Sequence, residues 1–190
     1  MRDLIVWLNE TAWSVYLRES FIVWPVLEAT HVLTIMLFVG TIIMVDLRLL
    51  GLAYTRVPVS EMTDRILPWT IAGFIVMVVT GLVLFYAKPL VYYHNIFFRV
   101  KLLVLIAALA NIWVFHRRVQ KDRAVWDGGG RLPVTARLSA AVSLSAWIAI
   151  VVAGRMIAYD WYECRKLDPA SLLATLQDCP APIVTAADTP

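Results

Sequence analysis

Histidine is scarce in this chain, with three in 190 residues. Two haems, each held by a pair of histidines, would need four, so that arrangement is excluded by number. Only one E-x-x-H pair occurs, at Glu28 and His31, whereas a dinuclear carboxylate centre in a helical bundle needs a second. The six methionines form no M-x-x-M ladder of thioether ligands. The run Asp127-Gly128-Gly129-Gly130 is not followed by the Lys and Ser/Thr of a phosphate loop, and there is no nucleophile elbow. Nucleotide chemistry and soluble hydrolase chemistry are therefore set aside, and the glycine run reads as a flexible turn. Residues 1–20 carry Asp3, Glu10 and Glu19 without a continuous apolar centre, so they do not read as a cleaved signal peptide. No internal repeat is evident.

Charge is sparse too, at 16% of residues, against 61% hydrophobic residues and a mean hydropathy of +0.73. This is far more apolar than an ordinary soluble domain, and the expected fold class is all-α: an integral membrane four-helix bundle. Crossing about 30 Å of hydrocarbon takes about 20 mostly apolar residues, because unpaired backbone groups are not tolerated in lipid. Four segments satisfy this: residues 21–45, 66–87, 96–115 and 138–159. Trp24, Trp69, Tyr92, Tyr93 and Trp161 near their ends suit an interfacial aromatic belt. Gly40, Gly73 and Gly81 read as close-packing points between helices. The net charge of +3 does not point to nucleic acid, because Lys and Arg gather at the ends of the apolar runs.

Those bases set the topology. Arg117, Arg118, Lys121, Arg123, Arg131 and Arg137 crowd the third loop, and Arg48, Arg56 and Arg65 the first, which puts both termini outside the cytoplasm of a bacterial inner membrane. Residues 1–20 form an N-terminal interfacial amphipathic helix, with Leu4, Leu8, Ala12 and Val15 on one stripe, resting on headgroups or on a partner subunit. Residues 161–190 form a short extramembrane tail in which Asp168 and Pro169 start a helix packed through Leu172, Leu173 and Leu176. Cys164 and Cys179 flank that helix. In an oxidising compartment they are disulfide candidates, with two free thiols as the alternative.

Ionisable groups within the spans are costly and tend to face the bundle interior. Counted at 1.5 Å per residue, Glu28, Lys101 and Arg155 all fall about 6 to 8 Å below the outer surface. They can form a buried polar network there, with His31 one turn deeper than Glu28. One reading is an internal ion-pair cluster that sets helix register. The other is a site in which Lys101 and Arg155 hold a quinone oxygen while His31 binds haem iron, a metal or a proton. Haem b through His31 and His94, or copper through His31, Glu28 and His94, are the cofactor options, beside quinone and no cofactor at all. His116 lies about 20 Å from His31 along the membrane normal and cannot share one iron with it. Asp46, Arg48 and His116 are secondary candidates at the inner face, pairing across helix ends or admitting protons.

The pieces E-x-x-H (Glu28, His31), Asp46-Leu-Arg-Leu-Leu-Gly51, Leu67-Pro-Trp69, N-x-x-F-x-x-K (Asn95, Phe98, Lys101), N-x-x-x-F-H (Asn111, Phe115, His116) and A-G-R-x-I-A-Y (Ala153 to Tyr159) occur in order. Over about residues 20–160 the chain resembles a family of small bacterial membrane proteins, loosely similar to the CopD-like copper-resistance membrane proteins. The resemblance implies a four-helix domain in the inner membrane and implies no reaction. Ile96, where the family pattern has proline, and His94 depart from it, and the cysteine-bearing tail lies outside it.

Three functions compete. The first is a redox-linked membrane subunit that binds haem b or quinone near the periplasmic face and exchanges electrons with a membrane or periplasmic protein partner. The second is a non-catalytic assembly subunit of a larger complex or oligomer, and the third is copper handling at the outer face.

Overall fold

The computed structural model describes residues 2–119, 132–159, 162 and 164–179. The Asp127–Gly130 run, the loop bases Lys121, Arg123 and Arg131, and Trp161 lie outside them. All regular structure among the described residues is helical. The elements are α1 (Arg2–Glu10), α2 (Ala12–Glu19), α3 (Val23–Leu50), α4 (Val59–Ala87), α5 (Pro89–Tyr93), α6 (Ile96–Val114), α7 (Val134–Ile157) and α8 (Leu172–Leu176). Helix α6 continues into a wide π-turn at Phe115–Val119. Four of these helices, α3, α4, α6 with its extension, and α7, are long and apolar enough to cross a bilayer. The expected integral membrane four-helix bundle is the observed architecture.

The spanning helices run further than the apolar segments alone suggest, because their ends are set by backbone chemistry. Helix α3 stops at Gly51, whose φ of +77° is open to glycine, and Leu52 N–H closes the turn on Leu47 O. Pro58 and Pro133 precede α4 and α7 as their N-caps. Asn95 caps α6, accepting a hydrogen bond from Phe98 N–H at 3.2 Å. Pro68 lies inside α4, where a neighbouring helix can compensate for the missing donor.

Helix α3 is central. It packs against α4 on one side and α7 on the other, and α7 in turn packs against α6. At the first contact Gly73 lets the backbones close up, since a Cβ there would stand 3.3 Å from both Cβ and N of Phe38. At the second, the Phe38 ring meets Trp147 edge-on at 4.8 Å, with Trp147 wholly buried. Gly40 meets no neighbour within 4 Å, so it is not the packing point its position suggested. Between α4 and α6 there is no comparable interface. A seam remains between them, bridged at one end by stacked Phe85 and Phe98.

We call that end the tail face, because α1, α2, α5 and the tail gather there. The single amphipathic helix expected over residues 1–20 is two helices. Thr11 breaks them: its backbone is extended, and its hydroxyl accepts from Ser14 N–H and reaches Tyr86. The inward residue is Ser14, fully buried and donating to Ala87 O at 3.1 Å. Leu4, Trp7, Trp13 and Tyr16 instead point outward, where headgroups would lie.

The tail is tied to the same end. Cys164 and Cys179 form a disulfide. Beside it, Tyr93 OH donates to Asp178 Oδ2, His94 Nδ1 donates to Gln177 O, and Arg99 donates to Leu176 O. Helix α8 is capped by Ser171 and not by Asp168, whose carboxylate instead accepts from Ala170 N–H two residues on. Leu172 and Leu176 are exposed, so this short helix buries Ala174 in place of the expected leucine face. Closing a loop of this length with a disulfide contributes about 3 kcal/mol. The Cys164→Ser/Cys179→Ser protein should therefore show faster amide exchange at 172–177 and a lower unfolding midpoint, while the four spans stay protected. Unchanged exchange would mean that the three hydrogen bonds hold the tail by themselves.

Candidate functional site

The seam between α4 and α6 holds polar groups at two levels. His31 and Asp46, both on α3, mark them, about 22 Å apart at 1.5 Å of rise per residue.

At the deeper level, away from the tail face, the seam widens into a cavity of about 430 Å³. Its walls are mostly apolar, with Phe38, Ile42, Ile71, Phe74, Leu109 and Ile112 contributed by three helices. Leu67, Ile71 and Leu109 line it and are also exposed on the outside of the bundle, so the cavity opens sideways towards acyl chains. Asp46 is 5% exposed on its wall. Ser143 on α7 lines the same wall beside this carboxyl group, and Asp46 Oδ2 has no partner among the described residues. Asn111 and Ser139 also line the cavity, yet they satisfy each other: Asn111 Nδ2 donates to Ser139 O and Ser139 Oγ donates to Asn111 Oδ1, each at 3.0 Å. His116, at the cavity edge on the π-turn, donates from Nδ1 to Ile112 O at 2.9 Å. Its Nε2 is left to face outward. A π-turn at such a place is a recurrent feature of functional sites.

Asp46 and Arg48 were expected to pair across helix ends. Arg48 Nε instead donates to Val57 O at 2.6 Å and so fastens the loop between α3 and α4.

At the level near the tail face, His31 Nδ1 lies 2.8 Å from Thr80 Oγ1. Thr80 has one hydroxyl proton, and its Oγ1 stands 2.7 Å from Val76 O, which takes that proton. His31 Nδ1 must then be the donor, and Nε2 carries the lone pair. Gly81 makes room for the ring, since a Cβ there would stand 3.2 Å from His31 Cε1. Lys101 on α6 is within electrostatic reach of this imidazole, and its Nζ lies 3.7 Å from where a Cβ on Gly154 would be.

Glu28 and Arg155 do not join them. Glu28 is exposed on α3 beside Pro25, Ala29, Val32 and Leu33, and Arg155 is exposed over the Tyr159 ring, donating to its hydroxyl at 3.1 Å. No ion pair links Glu28, Lys101 and Arg155 among the described residues. The buried network of four residues is thus reduced to His31 and Lys101. The Glu28 charge is felt by Tyr92, whose phenol is pushed above its ordinary range first by burial and then by that carboxylate. His94 is held under the tail by its hydrogen bond to Gln177 O. No group of three or more His, Cys, Asp or Glu fit to hold a metal ion occurs among the described residues.

The cavity residues Ser143, Thr63 and Thr70 escaped the sequence reading. Ser143 was findable only through its place on α7 at the level of Asp46, and short hydroxyl side chains in spans are too common to stand out.

Fold and site together define a multi-pass helical membrane protein with a laterally open, mostly apolar cavity that contains one buried acid. The chain belongs to DUF6644, a family of unknown function, whose model matches residues 7–160. No curated protein and no solved structure matches it, so the copper-resistance likeness rests on the motifs alone.

Thr80→Val removes the acceptor for His31 Nδ1–H, and a buried donor left unpaired costs about 1–3 kcal/mol. The variant should unfold at lower temperature in detergent, and the ¹⁵N spectrum of His31 should lose its single-tautomer signature. An unaltered spectrum would show that Thr80 does not select the tautomer.

Proposed function

We propose that this protein is a redox-linked membrane subunit whose cavity takes the head group of a lipid-soluble quinone, most tightly as the quinol. The observation that carries this reading is Asp46 Oδ2, buried and without a partner among the described residues in a cavity otherwise lined mainly by hydrocarbon. A lone carboxyl oxygen in such surroundings costs several kcal/mol unless a donor reaches it. A quinol supplies a hydroxyl donor on a flat apolar ring, and its tail can leave through the lateral opening between α4 and α6. The volume is within the range of small-molecule sites. Asp46 accepts the hydroxyl proton as a hydrogen bond, Ser143 holds the other carboxyl oxygen, and Nε2 of His116 at the rim is placed to exchange protons with the aqueous side. Electrons pass to a partner protein with its own redox centre. At the His31 level, the neighbouring Lys101 ammonium repels a metal cation, which favours quinone over haem iron or copper there too.

The sequence pattern assigned quinone to the tail-face end. The separation of Glu28 and Arg155 from Lys101 moves the preferred site to Asp46.

The membrane is the bacterial inner membrane in this reading, with the tail face periplasmic, supported by the arginine and lysine surplus of the opposite loops. Alkaline phosphatase fused to the C-terminus should be active in cells, and an inactive fusion with a fluorescent cytoplasmic counterpart would invert the topology.

Titration of the purified chain with a short-tailed quinol should give saturable binding. Asp46→Leu should weaken it at least about tenfold, the equivalent of about 1.4 kcal/mol and the low end for a hydrogen bond to a charged group. Equal affinity of the variant, or no binding to the wild type, would overturn the reading.

A further inference from the structure

The level of the seam near the tail face has a chemistry of its own that the quinol reading does not use. We infer that Lys101 and His31 form a second binding site, selective for the acidic oxygen of a chain-bearing amphiphile.

Lys101 supplies the first half of the argument. It sits on α6 with its head turned inward over Gly154 of α7, where the absent side chain leaves space beside the ammonium. Among the described residues no carboxylate comes within ion-pair distance of it. The acid nearest in sequence register, Glu28, is exposed and makes no ion pair with it among the described residues. A cation kept inside a bundle without an anion is costly, and such groups mark ligand or ion positions.

His31 supplies the second half. Because Thr80 fixes its Nδ1 as donor, Nε2 offers an acceptor within the same part of the seam. The pair therefore presents donors from the ammonium and one acceptor from the imidazole. A singly protonated acid, with one oxygen that accepts and one hydroxyl that donates, complements both. A metal cation complements neither the ammonium nor its field.

The route to the site identifies the rest of the ligand. Phe85 lies one turn beyond Gly81 on the tail-face side, and Phe98 one turn before Lys101 on that side. Their rings stack at 5.5 Å, and Tyr92 packs on Phe98 at 5.2 Å. These rings cover the seam from the headgroup side. Below them α4 and α6 are not packed together, so access is from the acyl region. An acid that arrives by that route carries an apolar chain. A protonated fatty acid and the singly protonated phosphate of phosphatidic acid share this chemistry.

The experiment uses the full chain in phosphatidylcholine nanodiscs. One arm titrates ¹³C-carboxyl oleate and follows its carboxyl resonance. The other replaces part of the lipid with phosphatidic acid and measures the lipid retained by native mass spectrometry. Lys101→Met should weaken binding of the preferred probe at least about tenfold, or about 1.4 kcal/mol. His31→Gln should weaken it less. Gly154→Leu, which fills the space beside the ammonium and leaves the charge in place, should weaken it as well, so the test survives if one variant does not fold. Arg155→Gln, which removes a cation exposed over Tyr159, should leave it unchanged. Loss in the oleate arm identifies a free fatty acid, and loss in the phosphatidic acid arm identifies a lipid phosphate. If Lys101→Met and Gly154→Leu bind both probes as the wild type does, or if Arg155→Gln loses as much as they do, the site does not exist. Quinol binding at Asp46 is read separately and stands or falls by itself.

Discussion

The joint between α3 and α7 governs this molecule. Phe38 is wedged against Trp147 on one side and Phe74 on the other, so a single aromatic side chain sets α3 against two neighbours at once. Helix α6 reaches the bundle through α7, and α4 reaches it through α3. Four helices packed in this order leave α4 and α6 at the two ends of an incomplete ring. In water such a gap would close to hide its apolar walls. In lipid there is no such drive, because acyl chains solvate leucine and phenylalanine as well as another helix does. The seam is a stable feature for that reason, and both proposed sites lie along it.

The polar residues within the spans divide according to what satisfies them. Thr30, Thr34 and Thr41 return their hydroxyl protons to carbonyls of their own helix, and Thr70 ties α4 to Thr41 of α3. Asn111 and Ser139 close a reciprocal pair between α6 and α7. These groups need nothing more, and their work is structural. Asp46 and Lys101 differ. Each points into space bounded by glycine, serine or hydrocarbon, and among the described residues each lacks the complementary charge that would make it part of the scaffold. One is an acid that seeks a donor, the other a base that seeks an anion. The indole N–H of Trp147 is also buried without a partner, and its place in the aromatic joint explains its retention by packing.

The tail face is built differently from the opposite end. Two amphipathic helices, a five-residue helix and a disulfide-closed loop converge on it, fastened by Ser14 to α4 and by His94 and Arg99 to the tail. Outward aromatic residues on α1 and α2 rest where a headgroup layer would meet them. His94 thereby serves as a structural donor through Nδ1. Several motif residues have the same fate. Asn95 caps a helix, Gly51 ends one, and Arg48 binds a loop.

Hydropathy along the chain was enough to reveal the four spans, the helical class and the membrane setting, because length and apolarity are local properties read one residue after another. Depth was legible in the same manner, since the rise per residue converts position into height. The spacing of Cys164 and Cys179 made their pairing a reasonable expectation, which the structure bears out. Rotation about each helix axis was not legible. Within a bilayer nearly every side of a spanning helix is apolar, so no periodicity marks the inward face, and neighbouring helices decide it. That rotation left Glu28 and Arg155 exposed, turned Lys101 over Gly154, and placed Asp46 and Ser143 on the cavity wall. Sequence alone thus determined which helices are long and apolar enough to cross a membrane and how far along each helix its charges lie. Tertiary packing alone decided which charges meet, because in lipid the choice of face depends on contacts between helices and not on avoidance of solvent.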